Sequence, residues 1–260
     1  MADPMELLQR ALQEKFQTRH GRSLRFELLP PLSLKEIAAF AARLPGPLPP
    51  DLRRLLAFTR GFTIEVDEDW PQDIEEFLVD FTGTDESLRA PRDSLGALPH
   101  AVCIAGDDAG NSWTVDVDAT TGAWGAVMYI CHDPPEMVIQ SRDLAAFIAD
   151  VLDLGRSGRV SNIARVCNGK ADGLRGLPPW EFSAAEARAA GDPDLARFAA
   201  GLAENVRIYD LRALRPGMGF DWSPLMPDGR VLRDSRNMIF AIEPRAQSRG
   251  QLSRLVKRRA

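Results

Sequence analysis

The hydrophobic period of the chain changes twice along its first 155 residues. In "SLKEIAAFAARL", Leu34, Ile37, Ala41 and Leu44 recur at helical spacing, and Ser33 with Glu36 three positions on forms a capping box that marks the start. After the break "PGPLPP", Leu52, Leu55 and Leu56 of "DLRRLLAFTRGF" predict a second helix, with prolines at its entrance and Gly61 placed for a left-handed C-cap. From Phe62 to Cys131 the period falls to two or to short apolar runs. "FTIEV", "EEFLVDF", "AVCIA", "SWTVDV" and "WGAVMYIC" read as strands, close enough in sequence for an antiparallel meander. "SRDLAAFIADVLDLG" returns to the helical period. Ser141 is its expected N-cap, Leu144, Phe147, Ile148, Val151 and Leu152 form its stripe, and Gly155 its terminator.

Helices, sheet and closing helix in that order predict an α+β domain over residues 1–155, an antiparallel sheet packed with N-terminal and closing helices. Five glycines between Gly155 and Trp180 then mark a connection. Beyond it, "SAAEARAAGDPDLARFAAGLAE" reads as helix interrupted near Gly191 and Pro193, and "VRIYDLR", "RVLRD" and "NMIFAIEP" as strands. Residues 156–260 are therefore expected to form a smaller accessory α+β domain. The closing "QLSRLVKRRA" reads as a short helix or a frayed tail.

Charge divides along the same line. Met1 to Gly155 holds 26 Asp and Glu against 13 Lys and Arg; Arg156 to Ala260 holds 11 against 19. An acidic half repels nucleic acid and attracts a basic partner, while a basic half admits the opposite reading. No apolar run approaches the roughly 20 residues of a membrane span, and the N-terminus lacks a signal-peptide pattern, so a cytoplasmic protein without membrane partners is expected. Cys103, Cys131 and Cys167 are too scattered for a disulfide framework or a zinc knuckle.

The familiar catalytic patterns are missing: "CNGKADG" has only the Gly-Lys pair of a phosphate loop, and no G-x-G-x-x-G, G-x-S-x-G or H-E-x-x-H occurs. Cys131 and His132 are adjacent, and neighbours on a strand point to opposite faces, which separates a would-be nucleophile from its base. The acidic stretch "IAGDDAGNSWTVDVDATTGAW" fails as a calcium loop. Counting from Asp116, position 5 is Thr120, position 6 Thr121 and position 12 Val127, where an acid, a glycine and a glutamate are needed. Its alternation instead places Trp113, Val115 and Val117 on one face and Thr114, Asp116 and Asp118 on a solvated one, with Asp107 and Asp108 in a turn. A metal-dependent or acid/base role for Asp107, Asp108, Asp116 and Asp118 stays open at this point, as the two strand aspartates share a face.

The order of motifs resembles the SUKH superfamily, the Smi/Knr-like proteins. Leu48, Pro49, Asp51, Leu52, Leu56 and Gly61 fit its first helix motif, with Arg60 where the family usually has asparagine; Ile104, Ala105, Asp107, Gly110, Asn111, Trp113, Val115 and Asp116 fit its hairpin; Leu144, Phe147 and Ile148 fit its closing helix. The likeness covers roughly Ser33 to Leu154. It implies a SUKH-like fold and a non-enzymatic immunity protein that needs no cofactor and neutralises a cognate bacterial toxin, often one acting on nucleic acid. "EVDEDWPQDIEEF" agrees with this: Glu65, Asp67, Glu68, Asp69, Asp73, Glu75 and Glu76 surround Trp70, an acidic rim about an aromatic that suits a basic toxin groove. With Asp107, Asp108, Asp116 and Asp118 these are the candidate toxin-binding residues, and nucleic acid is not an expected partner of this half. The rival reading is a scaffold or nucleic-acid-binding regulator working through the basic half, including Arg249, Arg254, Lys257, Arg258 and Arg259.

Overall fold

The computed structural model describes residues 3–18, 20–65, 76–84, 98–106, 110–132, 135–157, 179–204, 206–221 and 230–243. A short helix α1 (Pro4–Ala11), capped by the Asp3 carboxylate on the Met5 N–H, leads into the two-residue strands β1 (Phe16–Gln17) and β2 (Ser23–Leu24), which pair with each other. Then come β3 (Phe26–Leu28), α2 (Leu34–Ala41) and α3 (Pro50–Phe58). A meander follows, made of β4 (Gly61–Glu65), β5 (Glu76–Asp80), β6 (Val102–Gly106), β7 (Ser112–Val117), β8 (Trp124–His132) and β9 (Pro135–Ser141), and α4 (Leu144–Ser157) closes it. The remaining described elements are β10 (Glu181–Ser183), α5 (Ala184–Ala189), α6 (Pro193–Ala199), β11 (Arg207–Asp210), β12 (Gly219–Asp221), β13 (Arg230–Arg233) and β14 (Ile239–Glu243).

The fold is α+β with antiparallel sheets, as the periodicities predicted. Each meander strand pairs with its predecessor, and the eight-stranded sheet has the order β12-β9-β8-β7-β6-β5-β4-β3. Its last member comes from far along the chain: Gly219 pairs with Val138 and Asp221 with Glu136. A four-stranded sheet of order β10-β11-β14-β13 lies over the other face.

Three apolar clusters show the layering. Phe62, Phe77, Trp113, Val115, Tyr129 and Val138 meet α1 to α4 on one face of the large sheet. Met128, Ile130, Met137 and Ile139, which alternate with those side chains, meet Tyr209, Leu211, Phe220, Phe240 and Ile242. The opposite face of the small sheet, with Ile208, Ile239 and Ala241, meets Ala184, Ala187 and Leu195 of α5 and α6. The order is therefore helices, large sheet, small sheet, helices. Period two on strands buried on both faces produces the near-continuous apolar run of β8.

Several local expectations shift. The capping box of Ser33 and Glu36 is present, but Leu34 is 79% exposed and the buried stripe of α2 is Ile37 and Phe40. Gly61 does not cap α3, which ends on extended Thr59. It opens β4 instead, where a Cβ would run into the Val79 carbonyl of β5. Asp143, not Ser141, accepts the Ala146 N–H at the start of α4, because Ser141 still belongs to β9 and its hydroxyl donates to Asp150. α4 continues past Gly155 to Ser157, an interior glycine costing a helix only about 1 kcal/mol. Elements α1, β1 to β3, β9, β10 and β12 had no counterpart in the sequence reading. The expected boundary at 155/156 falls inside α4, and residues 158–178, with most of the glycine-rich connection, lie outside the described residues. So does the basic tail with Arg249, Arg254, Lys257, Arg258 and Arg259.

Candidate functional site

Antiparallel pairing sends alternate connections to the same end of a sheet. Strand β4 ends at Glu65 where β5 begins at Glu76, and β6 ends at Gly106 where β7 begins at Ser112. In the rows of paired residues Phe62–Val79–Ala105–Trp113–Tyr129–Val138–Gly219, all four of those termini lie on one side, as do Glu136 and Asp221. The chain segments carrying Asp67, Glu68, Asp69, Trp70, Asp73, Glu75, Asp107 and Asp108 leave from this end; those eight residues themselves lie outside the described residues. Asp118, at the far end of β7, departs from the opposite side.

Glu65 and Glu76 are cross-strand partners. Like charges directly opposite each other are destabilising, and two arginines from the preceding segment answer them. Arg25 places Nε 3.5 Å from Glu65 Oε1 and Nη2 3.7 Å from Glu76 Oε1, and Arg22 Nη1 lies 3.8 Å from Glu65 Oε2. The backbone N–H of Arg25 donates to Glu65 Oε2 at 3.1 Å, and its carbonyl accepts the Glu65 N–H at 2.9 Å. The sequence reading missed both arginines, although "SLRFEL" alternates as a strand should.

Asp116 is not on a solvated face. Its carboxylate accepts two hydrogen bonds of 2.7 Å from Arg233 of β13, in the forked geometry suited to guanidinium, and is 14% exposed. Arg233 in turn lies over the Phe240 ring. The small sheet covers what alternation alone had assigned to water. Asp118 remains exposed and ends β7 in a turn: it accepts the N–H groups of Thr120 and Thr121 and the Thr121 hydroxyl, which holds its carboxyl below the usual range. Each of these two carboxylates is thus occupied with its own partners, and among the described residues no group of three His, Cys, Asp or Glu side chains is placed to hold a metal ion. Cys131 is buried in the helix-side core. Burial pushes the Cys103 thiol up to about 11, away from the thiolate that nucleophilic chemistry needs.

Residues 31–150 match the model of the SMI1 / KNR4 family (SUKH-1). Over that segment the chain is similar to the SUKH-1 family. The matched segment runs from just before α2 through the first half of α4, the helices and meander whose motifs carried the resemblance. No curated protein and no solved structure matches the chain. SUKH proteins are in general immunity proteins that bind cognate bacterial toxins and are typically not enzymes. No helix among the described residues is long and apolar enough to cross a membrane.

One carboxyl at this end of the large sheet is pushed up toward neutrality. Burial, and secondarily the facing Asp221, push the Glu136 carboxyl up to about 7. A raised carboxyl means that folding takes up a proton. This contribution is fully favourable below the unfolded value of 4.5 and is lost as pH rises through about 7. Glu136→Gln should therefore raise the unfolding midpoint at about pH 8 and leave it unchanged near pH 4. Equal midpoint shifts at both pH values would remove Glu136 from the pH dependence.

Proposed function

We propose that this chain is an immunity protein whose acidic sheet end binds the basic substrate groove of a toxin acting on nucleic acid, such as a nuclease, and so blocks its active site. The observation that supports the reading is that the described ends of β4, β5, β6 and β7, which the two acid-rich connections join, lie at one end of the sheet. The match of residues 31–150 to a family that generally neutralises toxins supports it. Clustered carboxylates steer a basic partner and speed encounter, and Trp70 supplies the apolar anchor that a charged rim lacks. Asp116 is left out of the contact because Arg233 already engages it. Asp118 is left out because it departs from the opposite end.

Co-expression with the toxin domain encoded beside the gene tests the proposal. Cells should survive with the wild-type chain and die with the triple reversal Asp67→Lys, Glu68→Lys and Asp73→Lys, whose association should slow by about 100-fold or more at low salt. Glu76 is kept intact in this variant because Arg25 contacts its carboxylate. Survival and unchanged affinity with the triple reversal would place the interface elsewhere.

A further inference from the structure

We infer that β12 is a proton-controlled latch: the strand stays paired with β9 while Glu136 is protonated and loosens when Glu136 and Asp221 are both ionised. The geometry makes β12 the weak point of the large sheet. It has three residues and one neighbouring strand, and it joins the sheet from far along the chain. Its ladder is Val138–Gly219, Met137–Phe220 and Glu136–Asp221, so two carboxyl side chains stand opposite each other in the terminal pair. The Ile139 N–H donates to the Met218 carbonyl at 2.7 Å and the Gly217 N–H to the Ile139 carbonyl at 2.9 Å, a bulge with Gly217 at φ 88° that fixes the phase of the ladder. Counting on from Ile139, Met137 and Phe220 exchange backbone hydrogen bonds, and Glu136–Asp221 is a non-hydrogen-bonded pair, in which Cα atoms stand about 4.5 Å apart and side chains come closest. The same phase turns the Gly219 carbonyl outward, where Trp180 Nε1 donates to it at 2.9 Å.

Glu136 is half-buried, and on its other flank β8 sets the buried Cys131 opposite it. The helix packed on β9, α4, directs Asp150 to the Ser141 hydroxyl at the far end of the strand. From the small sheet, Tyr209 lies within electrostatic reach of Asp221 and of Glu181, and Arg207 Nη1 is 3.1 Å from Glu181. Among the described residues Asp221 is thus the charged group that acts on Glu136, and it adds to the effect of burial in pushing the carboxyl up to about 7. Like charges directly opposite each other weaken a strand pair, and a half-buried charge adds its own desolvation cost. A three-residue ladder has little to offset either. The stabilisation is complete below 4.5 and is lost as pH rises through about 7. Loosening of β12 uncovers the edge of β9 and leaves β3 to β9 paired.

Amide hydrogen exchange of the full chain, corrected for the intrinsic effect of pH, tests the latch. Protection of the Met137 and Phe220 amides should fall about tenfold or more between about pH 6 and about pH 8.5, while the amides of β7 and β8 keep theirs. Glu136→Gln, which keeps the shape and removes the ionisation, should hold protection constant over that range. Asp221→Asn removes the facing charge and should move the fall to lower pH. His132→Gln, beside Cys131 and in register with Pro135, should leave the fall in place. Protection that does not change with pH in the wild type, or an equal fall in Glu136→Gln, overturns the latch. So does a fall abolished by His132→Gln, which would assign the titration to the imidazole. An equal loss of protection throughout β7 and β8 would make the event global unfolding and overturn it as well.

Discussion

A chain ending at Ser157 should be molten or insoluble, although it retains the whole segment that matches the family. The outer face of β8 and β9 carries Met128, Ile130, Met137 and Ile139, all fully buried against the small sheet and β12. Burying a side chain of this size contributes roughly 1.5–3 kcal/mol, so these four account for about 6–12 kcal/mol, comparable to the whole net stability of a typical domain. Removal of residues 158–260 also frees the edge of β9 that β12 covers, and an open apolar edge invites aggregation. The expected signature is strong binding of a hydrophobic dye, near-native helix and strand signals in the far ultraviolet and no cooperative unfolding transition. A soluble 1–157 fragment with a sharp transition and no dye binding would show that the family segment folds by itself and that the C-terminal part is an accessory domain in the full sense.

Asp116→Ala should be strongly destabilising. It leaves Arg233 in a site where both side chains are largely covered, 14% and 23% exposed, with the Phe240 ring beneath it. Losing one partner of a buried ion pair costs about 3–5 kcal/mol, and residual solvent access reduces that here to about 2–4 kcal/mol. At two to four degrees per kcal/mol for a chain of this size, the midpoint should fall by about 5–15 °C. Arg233→Ala should cost a similar amount, and the double substitution less than the sum, since neither charge is then stranded. A loss under about 0.5 kcal/mol in Asp116→Ala would mean that the apolar contacts alone hold the two sheets together.

Helix and strand types were readable wherever one period dominated. Ser33 with Glu36, Leu52 with Leu55 and Leu56, and the strand runs from Phe62 to Cys131 all became the elements their spacing predicted. The errors fell on residues whose role depends on a distant neighbour. Gly61 sits at a helix end in the sequence, yet its lack of a side chain is needed because β5 passes close by. Leu34 has helical spacing to Ile37, but it is the first residue of α2 and projects beyond the surface that the helix packs on. The short edge elements β3 and β12 have too few residues for a period to register.

The candidate site divides in the same manner. Acid-rich segments, one of them around Trp70, are visible in any reading of the chain, but the strand order decides that two of them join strands at one end of the sheet while Asp118 leaves from the other. For Asp116, alternation gave the correct face and the wrong surroundings. Period two fixes which side of a sheet a residue occupies, because successive side chains must point in opposite directions. What then covers that side is not a local property. Arg233 lies 117 positions further along the chain, and only packing of one sheet on the other brings it to Asp116. The sequence by itself determined the helices and strands with a clear period, from α2 through β8 and in α4, and their order, since these rest on interactions among near neighbours. Among the described candidate acids, the tertiary structure alone decided that Asp116 is engaged by Arg233 while Asp118 stays in water, because a charge that is covered costs stability unless a counter-charge meets it.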